Sequence, residues 1–295
     1  MRDPAATARI VSAVPLPLPH ALRRTLHPLG VGLHRGRERL RRARRRGSSS
    51  LGDEHVVRRL LQTLGIERGF AVDVAACDGV TKSNTLGLYA SGWSGLAVEG
   101  DPARFASLAR AYRRFPDVSL ARLWVTPDNV VTLLRGHGAP TDFTFLNLDI
   151  DGYDHFVLAA LLQEFRPALI SAEINENIPP PLKFTVLYDP AYAWAEDHFY
   201  GQSISQLDEL ARSFGYGLVA LDYNNAFLVA SGRGLLPELT PEEAYATGYR
   251  DRPDRRELFP WNDDMEELHT LDTEEQLAFL ERRFAPYHGK YDLGL

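Results

Sequence analysis

The chain has 295 residues, 44% of them hydrophobic and 24% charged, with a net charge of −6. That balance excludes wholesale disorder, a collagen-like repeat and a coiled coil, and no apolar run approaches the ~20 residues of a membrane-spanning helix. The single cysteine, Cys77, excludes an intrachain disulfide framework and a cysteine-based zinc cluster, so the reducing cytoplasm is the expected location.

The charge is unevenly placed. Residues 1–50 hold 12 Arg against Asp3 and Glu38, a net of +10, and the other 245 residues carry a net of −16. Residues 1–50 lack a lasting apolar period, Pro15, Pro17 and Pro19 break any helix, and Gly47-Ser48-Ser49-Ser50 is a linker. This segment is expected to be a basic flexible arm. A solvated tail is one reading, and contact with an anionic membrane or polyanion is the other.

From Asp53 the pattern changes. Asp53 is a helix cap for a segment running to Leu64, with Val56, Val57, Leu60, Leu61 and Leu64 on one face. Near-continuous apolar strands follow at Phe70–Ala75, Gly95–Glu99, Val118–Val125, Phe143–Ile150 and Ala168–Ile174. Helices are expected between them, at Ser83–Ser91, Pro102–Phe115, Asp128–Arg135, Asp154–Glu164 and Ser203–Phe214. Tyr216–Tyr223, Asn224-Asn225 and Ala226–Ala230 then form a hairpin. Five β-α units closed by an antiparallel hairpin imply an α/β three-layer sandwich. Residues 51–234 make this domain. Residues 235–295 are an acidic, partly helical extension, with helix starts at Thr240-Pro-Glu-Glu243 and Thr273-Glu-Glu-Gln276 capped by the Thr.

Ligands of such sheets bind at the carboxyl ends of the strands, where strand order reverses. The first strand ends in Asp73-Val-Ala-Ala-Cys-Asp-Gly79, whose small residues let a ligand approach the backbone. Neither a three-glycine dinucleotide fingerprint nor a phosphate-cradling Gly-Lys-Ser/Thr loop is present, which disfavours a nicotinamide enzyme. The second strand ends in Glu99, 26 residues after Asp73, where a carboxylate can accept both hydroxyls of a ribose.

The fourth and fifth strands end in Asp149-Ile-Asp151 and Glu173-Ile-Asn175. Alternation places each pair on one face, and adjacent tips bring four oxygen ligands together. Oxygen donors suit Mg²⁺ or Ca²⁺, and a metal there would bind and activate acceptor hydroxyls. The alternative is that Asp149 holds a cofactor amine while Asp151 and Asn175 make turns. Asp151, His155 and His198 are the candidate catalytic groups, the two His as bases. The 26-residue connection Glu176–Gly201 carries Phe184, Tyr188, Tyr192, Trp194, Phe199 and Tyr200, and is expected to be a lid over the acceptor or packing over the sheet edge.

Asp73–Gly79 resembles motif I of class I S-adenosylmethionine-dependent methyltransferases, and Val98–Pro102 resembles their acidic second tip. Asn147–Gly152, Ala172–Asn175, Tyr200–Ser203 and Gly215–Val219 resemble the FkbM-like family. The resemblance spans roughly residues 55–232, and departs where Ala75-Ala76-Cys77 replaces a Gly-rich loop. It implies a Rossmann-like, seven-stranded, mostly parallel sheet with a terminal antiparallel hairpin. It implies S-adenosylmethionine as cofactor, bound by Asp73, Ala75, Asp78 and Gly79 on the methionine side, Glu99 at the ribose, Asp128 and Asn129 at the adenine, and Asp149. The expected activity is O-methylation of a small molecule or glycan, with Mg²⁺ as an optional second cofactor and no specific nucleic-acid partner. A catalytically silent binding module of the same fold is the alternative, and assembly into a homo-oligomer stays open.

Overall fold

The computed structural model describes residues 10–11, 53–232 and 236–295. Most of the basic arm and the expected boundary at 234–235 lie outside the described residues. Seven strands build the main sheet: β1 (Phe70–Val74), β2 (Ser94–Val98), β3 (Val118–Ala121), β4 (Phe145–Leu148), β5 (Leu169–Glu173), β7 (Tyr216–Asp222) and β8 (Asn225–Ala230). Their order is β3-β2-β1-β4-β5-β8-β7, and β8 alone runs against the direction of the other six. Ile10–Val11 adds a two-residue parallel pairing at the outer edge of β3. The sheet is the Rossmann-like, mostly parallel one that the sequence implies, closed by the hairpin.

Helices α1 (Asp53–Thr63), α2 (Leu86–Ala90), α3 (Pro102–Tyr112), α4 (Val130–Gly136), α5 (Asp154–Leu162) and α6 (Ile204–Ser213) cover the sheet. Alternation along each strand divides the core between two faces. Val72, Val74, Leu96, Val98, Leu146, Leu148 and Ile170 join one buried cluster. Ala71, Ala97, Phe145 and Leu169 join the other. Both faces are dry, so every strand is apolar almost throughout. Caps set the helix starts: Asp101 accepts the Ala103 and Arg104 amides ahead of Pro102, and Ser203 accepts the Gln206 amide.

Three expectations change. The third strand stops at Ala121 rather than Val125, because the chain leaves the sheet at Arg122. The connection 176–201 is not structureless. It contains β6 (Lys183–Val186), paired antiparallel with β9 (Tyr291–Gly294) at the C-terminus. Around this ribbon Phe184, Phe199, Leu280 and Phe284 form a third apolar cluster, so the C-terminal residues pack over the connection. Finally, α8 (Thr273–Arg283) is capped by Asp272, not Thr273, in a capping box with Glu275. The expected cap at Thr240 is present, with its own capping box to Glu243, at the start of α7 (Pro241–Tyr245). Among the described residues, no helix is long and apolar enough to cross a membrane.

Candidate functional site

The strand order reverses between β1 and β4, and polar side chains are concentrated at the tips around that point. Asp73 near the end of β1 is 2% exposed. Its two oxygens accept Thr85 Oγ1 at 2.5 Å and Asn147 Nδ2 at 2.9 Å. Asn84 Nδ2 donates in turn to Asn147 Oδ1 at 2.8 Å. This chain of hydrogen bonds ties β1 to β4 across the crevice. Burial pushes Asp73 up to about 6, against the pull of the two donors.

The loop after β1 explains how Ala-Ala-Cys replaces glycine. Ala75 (φ +63°), Cys77 (φ +54°) and Gly79 (φ +74°) are all left-handed. That conformation costs a non-glycine residue roughly 1–2 kcal/mol, and such strain persists only where surrounding bonds enforce it. Here they do: Ala76 N–H donates to Val98 O at 2.9 Å, and Cys77 N–H donates to Glu99 Oε2 at 2.9 Å. At Gly79 a Cβ would come within 2.5 Å of Leu108 Cδ1 and 2.6 Å of Tyr112 Cε1. Asp78 accepts the Val80 and Thr81 amides and the Thr81 hydroxyl. Partial burial raises this carboxyl, but the donors outweigh it and hold it low. Asp78 therefore closes a local turn.

Glu99, at the tip of β2, is 3% exposed and accepts two backbone amides, Cys77 on Oε2 and Asp101 on Oε1 at 2.7 Å. A carboxylate has about four lone-pair positions, so two remain for a ligand diol.

Beyond β4, Asp149, Asp151 and Glu173 each offer one oxygen, and the three lie within 4.8 Å of one another. Strand alternation does not achieve this. β4 ends at Leu148, and Asp151 sits at φ +54° in a turn that the buried Asp154 holds by accepting the Ile150 and Gly152 amides. Glu173 Oε1 accepts Asn224 Nδ2 at 2.8 Å, and its carboxyl, protonated, donates to neighbouring Asp149. Among the described residues, no Lys, Arg or His forms an ion pair with Asp149 or Glu173. Burial, then repulsion from Asp151 and Asp154, pushes Asp149 up to about 7. Burial and the neighbouring Asp149 push Glu173 well above the ordinary range. Burial likewise lifts Asp154 to about 6.

The other expected residues are engaged elsewhere. Asn175 does not complete a four-donor set. The chain leaves β5 at Glu173, and Asn175 Nδ2 donates to the carbonyls of His198 and Tyr200, while its Oδ1 accepts from Asn177. His198 is 9% exposed, and its Nε2 is 2.9 Å from Asp264 Oδ1, which belongs to the C-terminal extension. That pairing ties the connection to the extension. His155 is half-buried beside the acidic turn, its Nδ1 3.2 Å from Gln202 Oε1, and burial lowers its pKa. Asp128 accepts the Tyr188 hydroxyl at 2.9 Å, and Asn129 bridges Thr126 N–H and Trp124 O within its own loop.

Sequence reasoning passed over Glu176. It is 1% exposed, accepts Tyr200 Oη at 2.5 Å and Asn262 Nδ2 at 2.7 Å, and its carbonyl accepts Tyr245 Oη at 2.5 Å. Its partners lie up to 86 residues away, so no local pattern marks it. Thr85 and Asn147 escaped for the same reason, although Asn147 is opposite Asp73 in the pairing register.

No protein-family model matches the chain, and no curated protein matches it. Solved structures do resemble it. The N-terminal domain of EvdMO1, determined with SAH and D-fucose, is 13% identical, with 66% of this chain and 96% of that one aligned at a TM-score of 0.41. An O-methyltransferase from Bacillus cereus in complex with SAH is 15% identical over 70% and 94%, with a TM-score of 0.41. An S-adenosylmethionine-dependent methyltransferase from Clostridium acetobutylicum is 10% identical over 68% and 98%, with a TM-score of 0.42. At this level of similarity the likenesses carry no inference about this chain's chemistry.

Proposed function

We propose that the chain is an S-adenosylmethionine-dependent methyltransferase of the FkbM-like kind, acting on an oxygen of a small-molecule or glycan acceptor. The observation that carries this reading is the row of buried carboxylates at the tips of β1, β2, β4 and β5. Carboxylates repel phosphates and favour a ligand with a cationic centre and hydroxyls. S-Adenosylmethionine has both, as a sulfonium and amine at one end of a ribose diol. Glu99 would receive the diol, and the left-handed Ala75–Gly79 loop would bring backbone against the methionine side.

Methyl transfer forms a C–O bond as the S–C bond breaks. Sulfur leaves with the electron pair, and the acceptor hydroxyl gives up a proton. The protein's contribution is alignment of the two reactants and a group to take that proton. The Asp149–Glu173 pair, with burial raising both carboxyls, is the first candidate for that transfer, and His155, lowered by burial and held by Gln202, is the second.

Asp149, Asp151 and Glu173 also fit a hard divalent cation such as Mg²⁺, because three oxygen donors lie within 4.8 Å of one another and mutually raise Asp149 and Glu173. Bound there, a cation would hold the acceptor hydroxyl and lower its pKa.

Calorimetry with S-adenosylhomocysteine tests the reading. Wild-type protein should bind it, and a folded Glu99→Ala variant should bind it ~10–150-fold more weakly, the scale of charged hydrogen bonds. No binding by the wild type would sink the reading.

A further inference from the structure

The connection after β5 passes over the ends of other strands. Leu187 N–H donates to Lys290 O at 2.9 Å, which fixes the chain where β6 ends, and Asn175 Nδ2 holds the His198 carbonyl at 2.8 Å. Residues 188–197 run between these two points. Exposure alternates along them: Ala191, Ala193 and Ala195 are exposed, while Tyr192 and Trp194 are half-buried. The small side chains thus face water and the aromatic ones face the body of the protein.

Two of the aromatics show what the segment crosses. Tyr192 lies over the turn after β4, where its ring would meet a Cβ on Gly152 at 2.8 Å. Tyr188 reaches the loop after β3, where its hydroxyl donates to Asp128 Oδ2 at 2.9 Å. Tyr153 joins the same two places. Its ring centroid is 4.9 Å from that of Tyr188, edge to face, and its hydroxyl donates to Val125 O at 3.3 Å. In the sheet, β1 and β2 lie between β4 and β3. A segment tied to the β4 turn at one end and to the β3 loop at the other therefore passes across the ends of β1 and β2, which carry Asp73 and Glu99.

The two ties differ. Tyr192 is secured within the connection, donating to Phe199 O at 2.9 Å with its ring centroid 6.4 Å from that of Phe199. Tyr188 and Asp128 make one exposed hydrogen bond between segments 60 residues apart. A bond in contact with water is the one that local opening breaks first.

We infer that residues 188–197 are a lid over the ends of β1 and β2, and that the Tyr188–Asp128 bond is its latch. This inference rests on the methyltransferase reading, which supplies a ligand that must enter and leave there. A lid closed for most of the time slows entry and exit alike, in proportion to the fraction of time it is open. The latch therefore sets the exchange rates of the ligand and leaves its affinity alone.

Surface plasmon resonance on the full chain, with S-adenosylhomocysteine as the probe, reads both rates. The net worth of one hydrogen bond corresponds to roughly 2–12-fold in an opening equilibrium. Tyr188→Phe removes the hydroxyl and keeps the ring against Tyr153. It should raise the association and dissociation rate constants together by about that factor, with Kd within about twofold of the wild type. Asp128→Ala should do the same, and the double variant should be no faster than either single one, because all three lose the same bond. Chymotrypsin should cut after Tyr192 or Trp194 faster in each variant by a similar factor, since cleavage follows the open population. If the wild type binds and both single variants exchange the probe at its rates, the lid is refuted and the methyltransferase reading stands. A rise in the dissociation rate constant alone also refutes it, because that places the two side chains in contact with the ligand. If the wild type does not bind S-adenosylhomocysteine, the reading fails and takes the inference with it.

Discussion

Replacing Asp149 by Asn should make the protein less sensitive to alkaline pH, and the size of the effect follows from the acidic cluster. Asp149 is raised from 3.8 to about 7. An acid whose folded pKa lies above its unfolded value contributes stability that is intact below the unfolded pKa. That stability drains away as pH rises through the folded one. At about 1.4 kcal/mol per unit, the whole shift corresponds to roughly 4 kcal/mol, of which about 2–3 kcal/mol falls between about pH 5 and about pH 8. Asp73 and Asp154, both raised to about 6, act in the same direction. His137, His155 and His269 are lowered and act oppositely. The wild-type curve is therefore a sum, and the difference between wild type and Asp149→Asn reports the Asp149–Glu173 pair, because removing the Asp149 charge also relaxes Glu173. Urea unfolding at about pH 5 and about pH 8 should show the variant gaining on the wild type by about 2–3 kcal/mol at the higher pH. Parallel curves would refute the claim that this carboxylate is held against its own charge. A gain at the lower pH would reverse its sign.

The same cluster makes a second prediction. Millimolar Mg²⁺ should raise the wild-type Tm at alkaline pH, and Asp151→Asn should reduce that rise, because Asn tolerates the φ of +54° and removes only charge. An unchanged rise in the variant would detach Asp151 from any cation. The left-handed loop makes a third. Ala75→Gly should leave stability unchanged or raise it by up to ~1 kcal/mol, against the usual loss for Ala→Gly, while Gly79→Ala should cost ~1–3 kcal/mol from both φ and the clash with Leu108 and Tyr112. Chemical denaturation checks the pair, and a normal Ala→Gly loss at residue 75 would show that the loop carries no strain. A fourth concerns the C-terminus. Deleting residues 285–295 removes Tyr287, stacked on Phe199 at 3.9 Å and 2°, and the strand paired to Lys183–Val186. It should lower stability by ~2–4 kcal/mol and open 183–199 to protease, while S-adenosylhomocysteine affinity stays within about threefold. A protected connection in the truncated protein would mean the ribbon is not what holds it.

How much was legible follows from how local each feature is. The strands declared themselves because both sheet faces are dry, so Phe70–Val74 and Leu169–Glu173 are apolar runs whatever their partners. Asp101-Pro102 and Thr240–Glu243 carry their helix starts within four residues. Glu99 and Asp149 could be singled out because a strand end is a local property and the sheet type fixes where strand ends point. What failed was everything that depends on the turn after the strand. Alternation puts Asp149 with Asp151 and Glu173 with Asn175 only if the strands continue. Both stop, and a left-handed Asp151 restores one pairing while Asn175 swings to the His198 and Tyr200 carbonyls. Ala75 and Cys77 hid for a related reason: their residue types give no sign of a conformation that the Val98 and Glu99 partners impose.

The two halves of the candidate site are therefore built by different means. The half around Asp73 and Glu99 is made of strand tips and their immediate turns, from residues near one another in sequence or in register. The half beyond β5 is assembled at long range. Glu176 joins Tyr200, Asn262 and Tyr245, and His198 reaches Asp264, which also pairs with Arg283. Tyr192 donates to Phe199 O and packs its ring over Gly152, where a Cβ would fall 2.8 Å from it. The acidic turn, the connection and the C-terminal extension thus touch one another, and buried Glu176 and His198 of the connection take side-chain partners from the extension. A change at Tyr245, Asn262, Asp264 or Tyr287 therefore reaches residues 176–201 directly, and through Tyr192 the acidic turn, while Glu99 is held by the amides of Cys77 and Asp101 in the tips themselves.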